Sequence, residues 1–248
     1  MHQDVASPAE AHTTGRPVSS TNSRFYLYLS VWMWVIAIAG FGPGYVSSLT
    51  NGTWIRSIPV HVHAFVYVGW LAIFTYQASL PAAGLLARHR ALGQQFVIYA
   101  ILMVVIGLTV TFSRFGDFVE AGRLDTAREA LIHPLSDMLI FPVLFGLAVH
   151  YRHTPGTHKR MMVVATTMLL VAAVGRMRFL GSPPHPLVYD LAWLSPIWIA
   201  MLRDLVIERR LHPAYLVSLL ALSVVPYRYL LVDTATYQSF TAWLASLV

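Results

Sequence analysis

Long apolar runs alternate with short polar connections along most of the chain, and this alternation is the main structural signal in the sequence. Seven of the runs reach about 20 residues, which is the length that an α-helix needs to cross roughly 30 Å of hydrocarbon. They lie at about 25–46, 61–86, 94–113, 132–151, 161–179, 186–206 and 213–232. The pattern predicts an all-α integral membrane bundle of seven transmembrane helices.

The two ends of the chain differ from this pattern. Residues 1–23 are mostly small or polar and predict a disordered cytoplasmic tail, so the transmembrane domain is expected to span 24–248. The last stretch, Ala235 to Val248, predicts an interfacial helix or an extension of the seventh span. Arg and Lys are in modest excess in the connections on the side of the N-terminus. This bias predicts a multi-pass protein of the bacterial inner (cytoplasmic) membrane, with its N-terminus in the cytoplasm and its C-terminus outside.

Composition supports the same class and removes several kinds of chemistry. Hydrophobic residues make up 56% of the chain and charged residues 11%, whereas soluble domains have about 45–50% and about 25%. A soluble enzyme and a disordered protein are therefore excluded. The chain has no cysteine, which excludes iron–sulfur clusters, thiolate zinc sites and covalently attached c-type haem. The net charge of +6 is attributed to topology and anionic lipid rather than to nucleic acid.

Histidines occur at matching positions in three consecutive pairs of spans. Spans two, four and six each begin with a histidine at the outer face, and a second histidine follows 25 to 27 residues later at the inner face. These pairs are His63 and His89, His133 and His158, and His185 and His212. The spacing predicts one helix followed by three helical hairpins, with the three outer histidines near one plane.

The outer histidines are candidate ligands for a metal ion or for haem. Imidazole suits zinc, copper and iron. His63, His133 and His185 are the expected ligands, and His61 joins them if the chain is still extended before His63. The alternative is that these histidines only mark helix starts at the headgroup level, since His133 and His185 are each followed by proline.

Two carboxylates, Asp137 and Asp190, are expected one helical turn deeper. Carboxylates within a membrane are costly and usually pair with a cation. Arg176, Arg178 and Arg228 are expected at the same depth. The two aspartates therefore either form ion pairs between helices or act as catalytic bases beside a metal ion.

Span two carries a stripe of aromatic and polar side chains on one helix face. His63, Tyr67, Trp70, Phe74 and Gln77 follow one another at steps of four, three, four and three. Such a stripe is typical of a packing seam, but its polar ends also suit a haem or quinone pocket. The candidate cofactor-binding residues are therefore Tyr67, Trp70 and Gln77, together with Arg176.

Two basic motifs lie at the inner face, His89-Arg90 and His158-Lys159-Arg160. Each comes at the start of a returning span, where free backbone donors favour an anion. Both motifs are expected to contact anionic headgroups of membrane lipids, or alternatively a ligand or a partner protein.

These residues also carry a resemblance to a family of uncharacterised bacterial polytopic membrane proteins. The shared elements are His61-x-His63 with Trp70 and Gln77, then His89-Arg90-x-Leu92-Gly93, Asp137, and His158-Lys159-Arg160-Met161-Met162. A looser likeness is to cytochrome b561-type electron carriers, whose four-helix core holds two haems between paired histidines. That likeness implies the pairs His63 with His133 and His89 with His158. Because His89 follows His63 by 26 residues, roughly 39 Å if helical, the outer pair is the better candidate.

The sequence thus favours a membrane metal- or haem-binding redox protein with its site near the outer face. The expected cofactor is haem b or a His-ligated zinc, copper or iron ion, and the expected partner is an electron-transfer protein or a quinone. A zinc-dependent membrane hydrolase is the first alternative, although the chain lacks the His-Glu-x-x-His motif. A transporter and a non-catalytic assembly subunit are the others.

Overall fold

The computed structural model describes residues 20–52, 58–181 and 185–248, which form helices and short turns without a β-strand. The predicted tail, residues 1–23, lies outside the described residues except for 20–23, whose backbone already belongs to the first helix. The long helices are α1 (Ser20–Thr50), α2 (Ile58–Ala82), α3 (Leu86–Glu120), α4 (Leu124–His150) and α5 (Pro155–Leu169). The shorter ones are α6 (Val171–Val174), α7 (Pro186–Trp193), α8 (Ser195–Arg203), α9 (Pro213–Leu222) and α10 (Ala235–Ala245).

Among the described residues, six helical segments are long and apolar enough to cross a membrane, judged by length and composition. They are Arg24–Thr50, Ile58–Ala82, Leu86–Glu120, Leu124–His153, Pro155–Val174 and Pro213–Leu231. Many side chains on the outside of these segments are large and apolar, and Ile98 in the middle of α3 is 71% exposed. An exterior of this kind is suited to lipid rather than water, which indicates a membrane-embedded helical protein.

The sixth predicted span, 186–206, is not one continuous helix. It is divided at Leu194 into α7 and α8, and α8 begins with Ser195-Pro196. Proline has no N–H to donate and its ring collides with the carbonyl four residues earlier, so the helix is interrupted here. After α8 the chain continues as a π-helical turn, Asp204–Glu208.

The two pieces of this broken helix run antiparallel to α5. Trp193 donates from Nε1 to the carbonyl oxygen of Thr167 at 2.9 Å. Further along, Asp204 accepts a hydrogen bond from Arg160 at 2.6 Å. Later residues of the broken helix thus contact earlier residues of α5.

We call the end of the bundle at which α1 begins the N-face, and the other end the opposite face. The long helices are joined by short connections and pack against their neighbours in sequence, so α1, α3 and α5 all begin at the N-face. The side chains that carry the candidate chemistry cluster at these two ends.

α5 and α6 form the centre of the bundle, because most of their side chains are buried. α1 packs against α6 at Gly40, where a Cβ atom would lie 2.7 Å from the Cα atom of Ala173. Small residues permit helix backbones in a membrane to approach this closely. Gly40 therefore sets how near the first helix lies to the central one.

Candidate functional site

Two histidines from different helices lie side by side at the N-face. His89 is in the first turn of α3 and His158 is in the first turn of α5. Their ring centres are 6.2 Å apart, with an interplanar angle of 74°. Two imidazoles that bind one ion from opposite sides, with bonds of about 2.0–2.1 Å, also have ring centres about 6 Å apart. The pair therefore has the spacing of two ligands to one metal ion.

Both rings are held by the backbone through the same nitrogen. Nδ1 of His89 is 3.1 Å from the carbonyl oxygen of Gln77, and Nδ1 of His158 is 2.7 Å from that of Ala148. Because a carbonyl oxygen can only accept, Nδ1 carries the proton in each ring. In the neutral imidazole the lone pair is then on Nε2, which is the arrangement common in metal-ligating histidines.

The contact with Gln77 also corrects the expected depth of this pair. α2 ends at Ala82, and His89 lies on α3 after the chain has turned back. His89 is therefore level with Gln77, which follows His63 by 14 residues (77 − 63), or about 21 Å of helix. The length of roughly 39 Å from His63 to His89 was therefore too long, because it treated the connection between α2 and α3 as continuous helix.

Gln77 and Trp70, near the histidine pair, have buried polar atoms without hydrogen-bond partners among the described residues. Oε1 and Nε2 of Gln77 are buried and have no hydrogen-bond partner among the described residues. Nε1 of Trp70, two turns away on the same face of α2, is likewise buried and unpaired within the described ranges. Since buried polar atoms are normally paired, such atoms call for an explanation. Both residues were predicted to bind a cofactor.

The opposite face carries a predicted ion pair. Arg228 donates from Nη1 to Oδ1 of Asp137, and from Nε to Nδ1 of His133 at 2.8 Å. The side chains of Arg228 and Asp137 are 9% and 13% exposed. The expected pairing of Asp137 with an arginine at its depth is confirmed. Nδ1 of His133 therefore already accepts a hydrogen bond from the same arginine.

His63 lies against Tyr67 on α2. The two rings stack with their centres 4.1 Å apart. The Tyr67 hydroxyl donates to the carbonyl oxygen of Met103 at 3.2 Å and lies 2.9 Å from Sδ of Met138. Tyr67 therefore joins α2 to α3 and α4. Nδ1 of His63 is buried without a hydrogen-bond partner among the residues described.

The other predicted ligands are placed differently. His185 accepts at Nδ1 from the backbone N–H of Leu187 at 3.3 Å and caps α7. His61 is exposed. In the part of the chain that the structure describes, no group of three or more His, Asp or Glu side chains is arranged to hold a metal ion. His61, His63, His133 and His185 therefore do not come together there as the expected outer metal site.

The second predicted ion pair is not seen either. Asp190 forms no ion pair with any described residue, and its Oδ1 is buried without a hydrogen-bond partner there. Arg176 donates from Nη1 to the carbonyl oxygen of Ala172 at 2.6 Å, and its guanidinium lies 5.0 Å from the ring centre of Phe41. Arg176 thus contacts α1 and the preceding helix α6.

A buried network that we did not predict from the sequence lies at the N-face. Arg160 donates to Asp204 at 2.6 Å and to Glu208 at 2.8 Å. Arg203 donates to the same two carboxylates at 3.0 and 3.1 Å. Each cation thus bonds both anions, and we call these four residues the charge ring. The side chains of Arg160 and Asp204 are 2% and 0% exposed.

The π-helical turn places the two acids of the charge ring. Asp204 and Glu208 are four residues apart, so one turn presents both carboxylates on the same side. Two acids with this spacing, directly after Arg203 in a basic connection, were a signal that could have indicated internal pairing.

The charge ring shifts the pKa of its own member Glu208 and of the neighbouring His212. Burial by itself raises the pKa of the Glu208 carboxyl, but the hydrogen bond from Arg203 and the charge of Arg160 outweigh it and hold the pKa below its usual value. His212 caps α9 by accepting at Nδ1 from the N–H of Ala214 at 3.2 Å. Burial and the charge of Arg160 lower the pKa of His212.

The charge ring also changes the expectation for the His158-Lys159-Arg160 motif. Arg160 is buried and bonded to two carboxylates, so the prediction that it contacts a lipid headgroup is wrong. His158 faces His89 instead. Arg90, in the other motif, is exposed.

Comparisons of the chain with protein-family models, with curated proteins and with solved structures gave no match. The fold and the site thus define a class, a membrane-embedded helical protein with paired histidines at one end, and its function is argued from its own residues.

Proposed function

We propose that this is a membrane redox protein that holds haem b between His89 and His158 at the N-face. The observation that carries the proposal is the pair of imidazoles 6.2 Å apart, each with Nδ1 tied to a backbone carbonyl. Two ligands on different helices suffice for haem, whereas a catalytic zinc ion uses three protein ligands. The same two nitrogens could instead bind a single copper ion.

The surroundings of the pair support such a cofactor. Towards the membrane centre, beyond Gln77, Trp70 packs on Phe145 with ring centres 5.3 Å apart. Arg90, the residue after His89, lies within electrostatic range of it. Apolar side chains and a nearby cation suit a porphyrin ring with carboxylate side groups.

Bound haem b would supply one-electron transfer between a reduced donor and an oxidised partner, such as an electron-transfer protein or a quinone. The contribution of the chain is to orient the two imidazoles. The bonds to the Gln77 and Ala148 carbonyls keep Nε2 unprotonated and strengthen it as a ligand. The unpaired amide of Gln77 offers a further hydrogen bond.

We also propose seven membrane crossings, with α7 and α8 together forming the sixth. The antiparallel contacts of this broken helix with α5 support that count. The excess of Arg and Lys on the N-terminal side supports an inner-membrane location with the N-face in the cytoplasm.

The proposal is tested by purifying the protein in detergent from cells supplied with a haem precursor and recording its absorption and electron paramagnetic resonance spectra. We expect a Soret band with about one haem per chain and the low-spin signal of an iron bound by two histidines. His89→Ala and His158→Ala are each expected to abolish that signal. His153→Ala, which changes an exposed histidine at the same face, is the matched control.

His63→Ala and His133→Ala locate the site. Both variants should keep the haem, because neither residue contacts the inner pair. A loss of haem in these variants with retention in His89→Ala would move the site to the opposite face. A colourless parent with stoichiometric copper that depends on the same inner pair would replace haem by copper. A parent with neither cofactor would overturn the proposal.

Transport is a second candidate, and the broken helix is the observation that favours it. Discontinuous helices and buried charged groups within a bundle are typical of transporters. In that case Asp137→Asn should abolish ion uptake into proteoliposomes. A hydrolase is not favoured, since the described residues hold no group of three ligands for zinc.

A further inference from the structure

A cleft of about 490 Å³ opens at the N-face between the start of α1 and the end of α2. Its walls combine apolar and basic side chains. The residues that matter here are Arg24, Leu27, Tyr76, Leu80 and Arg88. The cleft is separate from the histidine pair and from the charge ring, none of whose residues line it.

Two arginine residues from different helices line this cleft. Arg88 belongs to the first turn of α3 and its Cζ lies 5.9 Å from the ring centre of Tyr76, which holds the side chain along the wall of the cleft. Arg24, on α1, forms another part of the wall. Both arginine residues are exposed, so an external ligand can reach them.

The protein supplies no counter-charge for these two cations among its described residues. The carboxylates at this face are Asp204 and Glu208, and each is already bonded to both arginines of the charge ring. Within the described ranges, neither Arg24 nor Arg88 forms an ion pair. Two like charges beside one cleft are stabilised by a bound anion.

We propose that this cleft binds the headgroup of an anionic phospholipid. The cleft lies at the N-face, where the membrane-length helices α1 and α3 begin and α2 ends. Arginine binds phosphate in a bidentate manner and is weakly hydrated, which suits it to this role. Leu27 and Leu80 line the same cleft and provide an apolar surface for the glycerol and upper acyl chain. A free phosphate ion has no apolar part that could pack against these leucines.

The test uses the full chain reconstituted in nanodiscs that contain phosphatidylcholine with a minor fraction of phosphatidylglycerol, followed by detergent extraction and native mass spectrometry. We expect the parent to retain phosphatidylglycerol selectively. Arg24→Gln with Arg88→Gln should lower that retention by about tenfold or more. Arg152→Gln is the matched control, because it removes one exposed charge of the same face outside the cleft. Arg24→Lys with Arg88→Lys keeps the charge and should retain part of the binding.

Two further measurements distinguish a lipid phosphate from a free phosphate ion as the ligand. Inorganic phosphate at a large excess should not displace the lipid, and phosphatidylcholine alone should not be retained. Equal retention by the parent and the double Gln variant, both shown to be folded by circular dichroism, would overturn the proposal. Equal retention of the two lipids by the parent would overturn it as well. Since neither arginine is a proposed haem ligand, a loss of lipid with unchanged haem content separates this result from the proposed function.

Discussion

Arg160 and Asp204 form a buried ion pair at 2.6 Å although 44 positions separate them in the chain. The contact joins the central helix α5 to the π-helical turn that follows α8. Arg160 also lies 5.9 Å from the ring centre of Tyr215 on α9, so three segments meet at this side chain. Because charges removed from water are stable only when paired, these segments depend on one another.

Arg160→Met is expected to lower the free energy of unfolding by about 3 kcal/mol, the lower end of the range for a broken buried pair, because Arg203 still bonds Asp204. Adding Asp204→Leu should recover much of that loss, since the remaining Arg203 and Glu208 are balanced in charge. Thermal unfolding in detergent measures both effects. Arg152→Met is the control, because this exposed arginine donates to the nearby Val149 carbonyl and forms no ion pair within the described ranges. A double variant less stable than Arg160→Met would contradict this account.

Asp137→Leu is expected to destabilise the protein by about 3–5 kcal/mol, because it leaves the Arg228 guanidinium buried without its anion. The comparison is Asp125→Leu, which removes a carboxylate that is 93% exposed and bonded to Arg128 at 2.9 Å. A surface pair of this kind is worth about 0–1 kcal/mol. Denaturation of the two variants in the same detergent provides the measurement. Similar losses would mean that Arg228 reaches water once Asp137 is removed.

The capping residue His212 is expected to make stability depend on pH. Its pKa is lower in the folded protein than in the unfolded chain, because burial and Arg160 disfavour the charged ring. The unfolded chain therefore binds more protons, and stability is lost as the pH falls from about 6.5 towards the folded pKa. His212→Asn keeps a capping side chain and should flatten this part of the profile. Melting temperatures between about pH 8 and about pH 5 test it.

The control for this profile is His153→Asn, which changes an exposed histidine of the same face. It should leave the pH dependence as it is in the parent. If His212→Asn and the parent lose stability in parallel, other groups carry the dependence.

Gly40→Ala is expected to destabilise the bundle by about 1–3 kcal/mol, the usual cost of overpacking. The added Cβ meets the backbone of Ala173, which cannot rotate away as a side chain would. Gly44→Ala is the matched control on the same helix, since nothing lies within 4 Å of its Cβ position. Alanine favours the helix by about 0.5–1 kcal/mol over glycine, so this variant should be as stable as the parent or more so. Equal effects in thermal unfolding would show that α1 can shift without cost.

The apolar pattern predicted the apolar segments of the helices well, but it predicted the helix ends poorly where those ends are polar. The first predicted span starts at about residue 25, and the apolar segment of α1 starts at Arg24. The fourth was predicted from about residue 132, but α4 already begins at Leu124. Hydropathy identifies the residues that enter hydrocarbon. The first turns of α4 are helical but polar, so hydropathy does not detect them. The pattern predicted 186–206 as one span because two consecutive short apolar helices have the composition of one long helix.

The candidate site was predicted in part. The pairing of Asp137 with an arginine was expected because a lone carboxylate is unstable at that depth. The sequence favoured His63 with His133 over His89 with His158, whereas the two imidazoles that lie side by side in the structure are those of His89 and His158. Both pairs have the same residue types at matching positions, and the decision depended on where α2 ends and on which carbonyl each ring reaches.

The sequence by itself determined the membrane environment, the helical class and the supply of histidine and arginine, because these follow from local composition and from the length of each apolar run. Only the tertiary structure decided which side chains meet. His89 reaches His158, and Arg160 reaches Asp204, because α5 lies at the centre of the bundle and close backbone contacts such as Gly40 with Ala173 fix its neighbours. In a chain whose helices are similarly apolar, the order of packing depends on the shapes of complementary surfaces, and no single helix contains that information.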